Sequence, residues 1–121
     1  MMIYVKIQNK LFPAIITGRI HDKDWDDRAS KSIKVELSYE EAQALFVDDV
    51  TWSVVQETEE IIEEIAEDGE VNFSNHTITE EYDNSEYNVA GDITDHRNGY
   101  VTIKMGKMTA DELLAMFEEV L

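Results

Sequence analysis

Ile3, Val5 and Ile7 alternate with Tyr4, Lys6 and Gln8, the two-residue period of a half-buried strand. Asn9-Lys10 reads as a tight turn, and Leu11 to Ile20 as a second strand with Pro13 near its start or on a sheet edge. His21 to Ser30 is polar and charged and reads as a loop. Ile33, Val35 and Leu37 alternate again as a third strand. Ser38-Tyr39-Glu40-Glu41 follows, a capping box in which Ser38 and Glu41 satisfy each other's free backbone N–H groups. It predicts a short helix with Ala42, Leu45 and Phe46 inward.

Val50 to Gln56 reads as a fourth strand carrying Trp52, Val54 and Val55. Glu57 to Asp68 admits two readings. Ile61, Ile62, Ile65 and Ala66 fall at helical spacing, glutamate favours helix, and Gly69 would stop it at the C′ position. The rival is a long hairpin turning at Asp68-Gly69. Helix is the narrowly favoured expectation. Val71 to Thr79 and Tyr87 to Ile93 read as strands, and Asn98-Gly99 as a hairpin turn returning through Tyr100 to Met105. Thr109-Ala110-Asp111-Glu112 is a second capping box. It opens an amphipathic helix carrying Leu113, Leu114, Met116, Phe117 and Val120.

These elements predict an α+β fold: an antiparallel β-sheet with two short capped helices. The 121 residues suit a single domain, 1–121. An internal echo suggests two similar β-β-β-α halves. Ser38 to Phe46 lies over Thr109 to Phe117 without a gap, with Glu, Ala and Phe at matching offsets. The strands before them, Ile33–Leu37 and Val101–Met105, share a pattern, as do Gly18–Asp22 and Gly91–Asp95. On this reading a pseudo-repeat, 1–47 and 70–121, is joined by an acidic connector. The plainer reading is that any strand-to-helix junction converges on a cap and an apolar face.

Charge changes the picture most. The chain carries 10 Lys or Arg against 27 Asp or Glu, a formal net charge of −17. Val35 to His96 has no Lys or Arg and 19 acids. Such a block repels nucleic acid and anionic membranes and attracts basic proteins. It has two dense parts. Glu57, Glu59, Glu60, Glu63, Glu64, Glu67, Asp68 and Glu70 form the first. Glu80, Glu81, Asp83 and Glu86 form the second, around Tyr82 and Tyr87. Those 14 residues are the expected partner-binding set, with the tyrosines as rigid contact groups. The plainer reading of such acidity is a solvated face that aids solubility.

Enzyme chemistry finds little support. His21-Asp22-Lys23-Asp24-Trp25-Asp26-Asp27-Arg28 places three aspartates at the one-three-five spacing of a calcium loop. The required glycine and final glutamate are replaced by Asp27 and Ile33. A solvated loop with its own counter-charges fits better. Asp92, Asp95, His96 and Arg97 surround a turn, where such residues collect for backbone reasons. If the halves are equivalent, His21 and His96 would approach each other. There is no phosphate loop, nucleophile elbow or zinc-type pairing, and no Cys. The expectation is no enzyme, no catalytic or metal-ligating residue and no cofactor. Neither a signal peptide nor a membrane span is read, and the absence of Cys suits a reducing cytosol.

Lys23-Asp24-Trp25-Asp26, the Ser38–Phe46 cap and helix, and Tyr82-Asp83-Asn84-Ser85 through Gly91-Asp92-Ile93-Thr94-Asp95 resemble small phage and prophage proteins of Gram-positive bacteria. The resemblance covers most of the chain, with Glu57–Glu81 differing most. It brings no characterised activity and no functional residue; it implies a viral context and action in the host-cell cytoplasm. Two functions then compete. One is an anti-CRISPR or other anti-defence protein. Its acidic face would act as a nucleic-acid mimic and occlude a basic host protein such as a nuclease. The other is a small virion structural or tail-assembly protein that forms a homo-oligomer through sheet edges and the C-terminal helix. The charge block favours the first.

Overall fold

The structure, a computed structural model, describes residues 1–120, with side chains through Glu118. Its elements run β1 (Met2–Ile7), β2 (Lys10–Asp22), β3 (Arg28–Glu36), α1 (Tyr39–Leu45), β4 (Ser53–Ile65), β5 (Val71–Asp83), β6 (Val89–Asp95), β7 (Tyr100–Gly106) and α2 (Ala110–Val120). Seven strands form one antiparallel sheet in the order β5-β4-β1-β2-β3-β7-β6. The α+β expectation therefore holds, with two short helices beside the sheet.

The sheet has a fork in β2. Residues 10–13 pair with β1, ending at Tyr4↔Pro13, and from Ala14 onward β2 pairs with β3. Pro13 has no N–H to give a ladder, so a change of partner there breaks little. Both half-sheets contribute to one core. Val5 and Ile7 come from β1; Ile33 and Val35 from β3; Val101, Ile103 and Met105 from β7. Leu37, Ala42, Phe46 and Trp52 complete it. Phe46 and Trp52 meet edge to face, 6.4 Å between centroids. Ser38 caps α1 as expected, its hydroxyl accepting from Glu41 N at 3.1 Å.

Residues 57–68 are not helical; through Ile65 they continue β4. In a helix, Glu59–Glu63, Glu60–Glu64 and Glu63–Glu67 would stack like charges at i, i+4. In the ladder Glu59, Glu60, Glu63 and Glu64 face Thr77, His76, Phe73 and Asn72, so no two acids oppose each other. The fourth strand begins at Ser53 rather than Val50, and the fifth runs on to Asp83. The expected loop from His21 to Ser30 contracts to Lys23–Asp27, because β2 extends to Asp22 and β3 starts at Arg28. The β3–β7 register, Ser30↔Gly106 to Glu36↔Tyr100, puts the β2–β3 and β6–β7 turns at opposite ends of the sheet. His21 and His96 therefore do not approach each other.

The short Asp-rich loop is structural. Asp22 is fully buried and accepts from Lys104 Nζ at 2.7 Å and Ser30 Oγ at 2.9 Å. These bonds, Lys104 foremost, hold its carboxyl below the usual carboxylate range. Trp25 folds over β6 and β7, where a Cβ on Gly91 or Gly106 would meet its ring at 2.7 or 2.8 Å. Arg28 stacks on Trp25, 4.7 Å from the ring centroid, and reaches Glu112 at 2.8 and 3.2 Å. That contact pins the first turn of α2, where Thr109 N donates to Glu112 and Glu112 N to Thr109 Oγ1, the second capping box.

Candidate functional site: a projecting acidic arm

β1 covers β4 only as far as Met2↔Glu57. Beyond Glu57, β4 and β5 continue together without interruption to Ile65↔Val71. The result is a two-stranded ribbon leaving the body, about 27 Å long at roughly 3.3–3.4 Å per residue. The chain reverses through Ala66–Glu70, with Ala66 N bonded to Glu70 O at 2.8 Å and Gly69 N to Ala66 O at 2.9 Å. Gly69 has φ +83°, where a side chain would be strained.

The base is firmly held. Asn84 N donates to Trp52 O at 2.9 Å, and Trp52 N to Ser85 Oγ at 3.1 Å. Trp52 Nε1 donates to Tyr87 O at 3.0 Å. Asp83 accepts from Ser85 N and Oγ, bonds that hold its carboxyl below the usual range.

Register sorts the arm into two faces. Ile61, Ile65, Val71 and Phe73 share one, with Glu57, Glu59 and Glu63 between them. The other carries Ile62, Ile78 and Tyr82 with Glu60, Glu64 and Glu80. The apolar side chains at the tip are open to solvent: Ile61 70%, Ile65 72%, Val71 45% and Phe73 70%. None of the core residues lies between residues 58 and 78. An isolated two-stranded ribbon is marginal in water, and no core packing supports this one.

The expected 14-residue set divides accordingly. Glu57, Glu59, Glu60, Glu63, Glu64, Glu67, Asp68 and Glu70 lie on the ribbon and its turn, and none is in a salt bridge among the described residues. The second group sits at the base. Glu81 pairs with Lys6 at 3.0 Å and Glu86 with Lys107 at 3.4 Å. Tyr82 is half exposed and donates to Glu80, which raises its phenol pKa. Tyr87 does not join them as a free contact group. It packs against the core, with Lys31 and Lys107 over its ring at 4.7 and 5.2 Å.

The charge pattern did not point to the apolar tip. The alternation Glu59-x-Ile61-x-Glu63-x-Ile65 carries that signal once it is read as a strand. A second uncovered surface is α2. Beyond Glu112 its Leu113, Leu114, Met116 and Phe117 are 45, 59, 53 and 68% exposed. The side chain of Val120 lies outside the described residues. Trp52 is a core residue and Trp25 a loop anchor.

Among the described residues no group of three His, Cys, Asp or Glu is placed to hold a metal ion, and no helix is long and apolar enough to cross a membrane. Comparison with protein-family models, curated proteins and solved structures gives no match.

Proposed function

We propose that this chain is a non-enzymatic phage protein whose arm is its binding element, and that it serves virion or tail assembly by joining further copies of itself. The observation that carries this reading is the row of exposed Ile61, Ile65, Val71 and Phe73 on a ribbon that contributes no residue to the core. Burial of apolar surface is the main driving force for protein association. The carboxylates between those residues keep the free arm from pairing edge to edge too early. A phosphate mimic needs the carboxylates but not the apolar tip, so the geometry shifts the balance from charge alone toward assembly. The uncovered face of α2 supports the same reading. The test is sedimentation over a range of protein concentration. Concentration-dependent oligomers support assembly; a strict monomer that is also absent from purified particles overturns it.

The second reading is occlusion of a basic, nucleic-acid-handling host protein, of the anti-CRISPR or anti-defence type. It is favoured by the eight acids of Glu57–Glu70, in no salt bridge among the described residues, which would pair with the Lys and Arg of a nucleic-acid channel. Here a host lysate is passed over the protein at low salt, and again with Glu59, Glu60, Glu63 and Glu64 changed to Gln. Loss of one specific basic partner supports occlusion; retention of every partner argues against it. In either reading the protein acts in the host-cell cytoplasm, and under assembly it ends in the virion.

A further inference from the structure

We infer that the arm tip of one copy seats in the groove at the β2 fork of a second copy, a head-to-tail contact that rests on the assembly reading. Where β2 leaves β1, the sheet opens a groove of about 440 Å³ lined by Met2, Ile3, Pro13, Ile15, Lys34 and Tyr100 among others. Its walls are mostly apolar, and Lys34 is the one charged side chain on them, with no acid. Lys34 is exposed, with its ammonium 5.8 Å from the Tyr100 ring, and is in no salt bridge among the described residues. Ile15 is 66% exposed.

The tip is the counterpart of this groove. It offers Ile61, Ile65, Val71 and Phe73 for the floor and Glu63, opposite Phe73 on the same face, for Lys34, while Glu67, Asp68 and Glu70 of the turn stay in water beyond the groove. The arm does not fill its own groove. It leaves the body beside Met2, at the groove mouth, and its tip stands about 27 Å away at roughly 3.3–3.4 Å per residue. The unbroken β4–β5 register gives no bulge at which the ribbon would fold back. The occupant is therefore the arm of another copy. A contact between two different patches propagates into a ring or a filament. Each copy is then held twice, by its arm and by its groove. One ribbon face, on the order of 27 by 10 Å, is well under the roughly 800 Å² per partner of a standard interface, so each single contact, that of the mixed dimer below included, is weak and is read at high protein concentration.

The experiment uses two single substitutions in the full chain, Phe73→Asp in the tip and Ile15→Asp in the groove. Both positions are exposed, and unchanged circular dichroism and melting confirm folding. Each variant alone is expected to lose self-association by about tenfold or more. Mixed, they are expected to form a 1:1 dimer that grows no further, since one intact groove still meets one intact arm. If wild-type oligomers persist in both variants, or the mixture forms no dimer, this seat is wrong while the assembly reading stands. If the wild-type chain is monomeric at every concentration and salt tested, the assembly reading itself fails.

Discussion

Replacing residues 58–78 by Asn-Gly would remove the arm and leave the body folded. Glu57 and Thr79 face each other in the ladder, so a two-residue loop closes the shortened hairpin between an existing pair. No core residue is removed. The lost ribbon contributes only cross-strand pairs, each about 0.2–1 kcal/mol, against the ordering of its own backbone. A connection about ten times shorter also costs roughly 2 kcal/mol less to close. The expected stability is therefore within about 2 kcal/mol of the intact chain, out of the roughly 5–15 kcal/mol of an ordinary domain. Urea unfolding followed by tryptophan fluorescence reads this through Trp52, which is 2% exposed at the arm's base. A loss of more than about 4 kcal/mol, or failure to fold, would refute the separation of arm from body.

The remaining predictions concern charge and packing. Self-association should strengthen between low and high salt, because copies of net charge −17 repel each other and salt screens that repulsion. Capture of a basic partner should weaken over the same range, so one salt titration separates the two readings. Trp52→Phe removes the Nε1 bond to Tyr87 O and some core volume. It should lower unfolding stability by about 2–4 kcal/mol, and a change under 0.5 kcal/mol would contradict that packing account. Asp22 and Glu112 have carboxyl pKa values held below their ordinary ones, chiefly by the bonds from Lys104 and Arg28. Their stabilisation is fully present above the unfolded carboxylate range, roughly pH 4, and fades as pH falls through the lower folded values. Asp22→Asn should thus be less stable than wild type at pH 7, with the gap narrowing in acid; a gap independent of pH would rule this out.

Local signals in the sequence were good guides where local chemistry decides structure. The Thr109–Glu112 capping box forms in full and the Ser38 hydroxyl caps α1 through Glu41 N, because these partners lie three residues apart on the same turn. Strands β1 and β7 appear where alternation placed them, and β3 includes the expected Ile33 and Val35 but starts earlier, at Arg28. Readings failed where a distant partner decides. Glu57 to Ile65 has helical spacing, and only pairing with β5 sets neutral residues against its acids. Asp22 looks like one more loop acid until Lys104 and Ser30 from other strands enclose it. The amphipathic pattern of α2 is genuine, but a pattern names an apolar face without naming what covers it. Here the body holds the first turn through Arg28 and leaves Leu113, Leu114, Met116 and Phe117 open. For the candidate site, charge located the segment, and register revealed the row of apolar residues along one face of it.

Sedimentation of the intact and armless chains, side by side at high salt, tests most directly whether the arm is the binding element. The account predicts concentration-dependent oligomers for the intact chain and a folded monomer for the armless one. Oligomers of the same size and strength in both would contradict it.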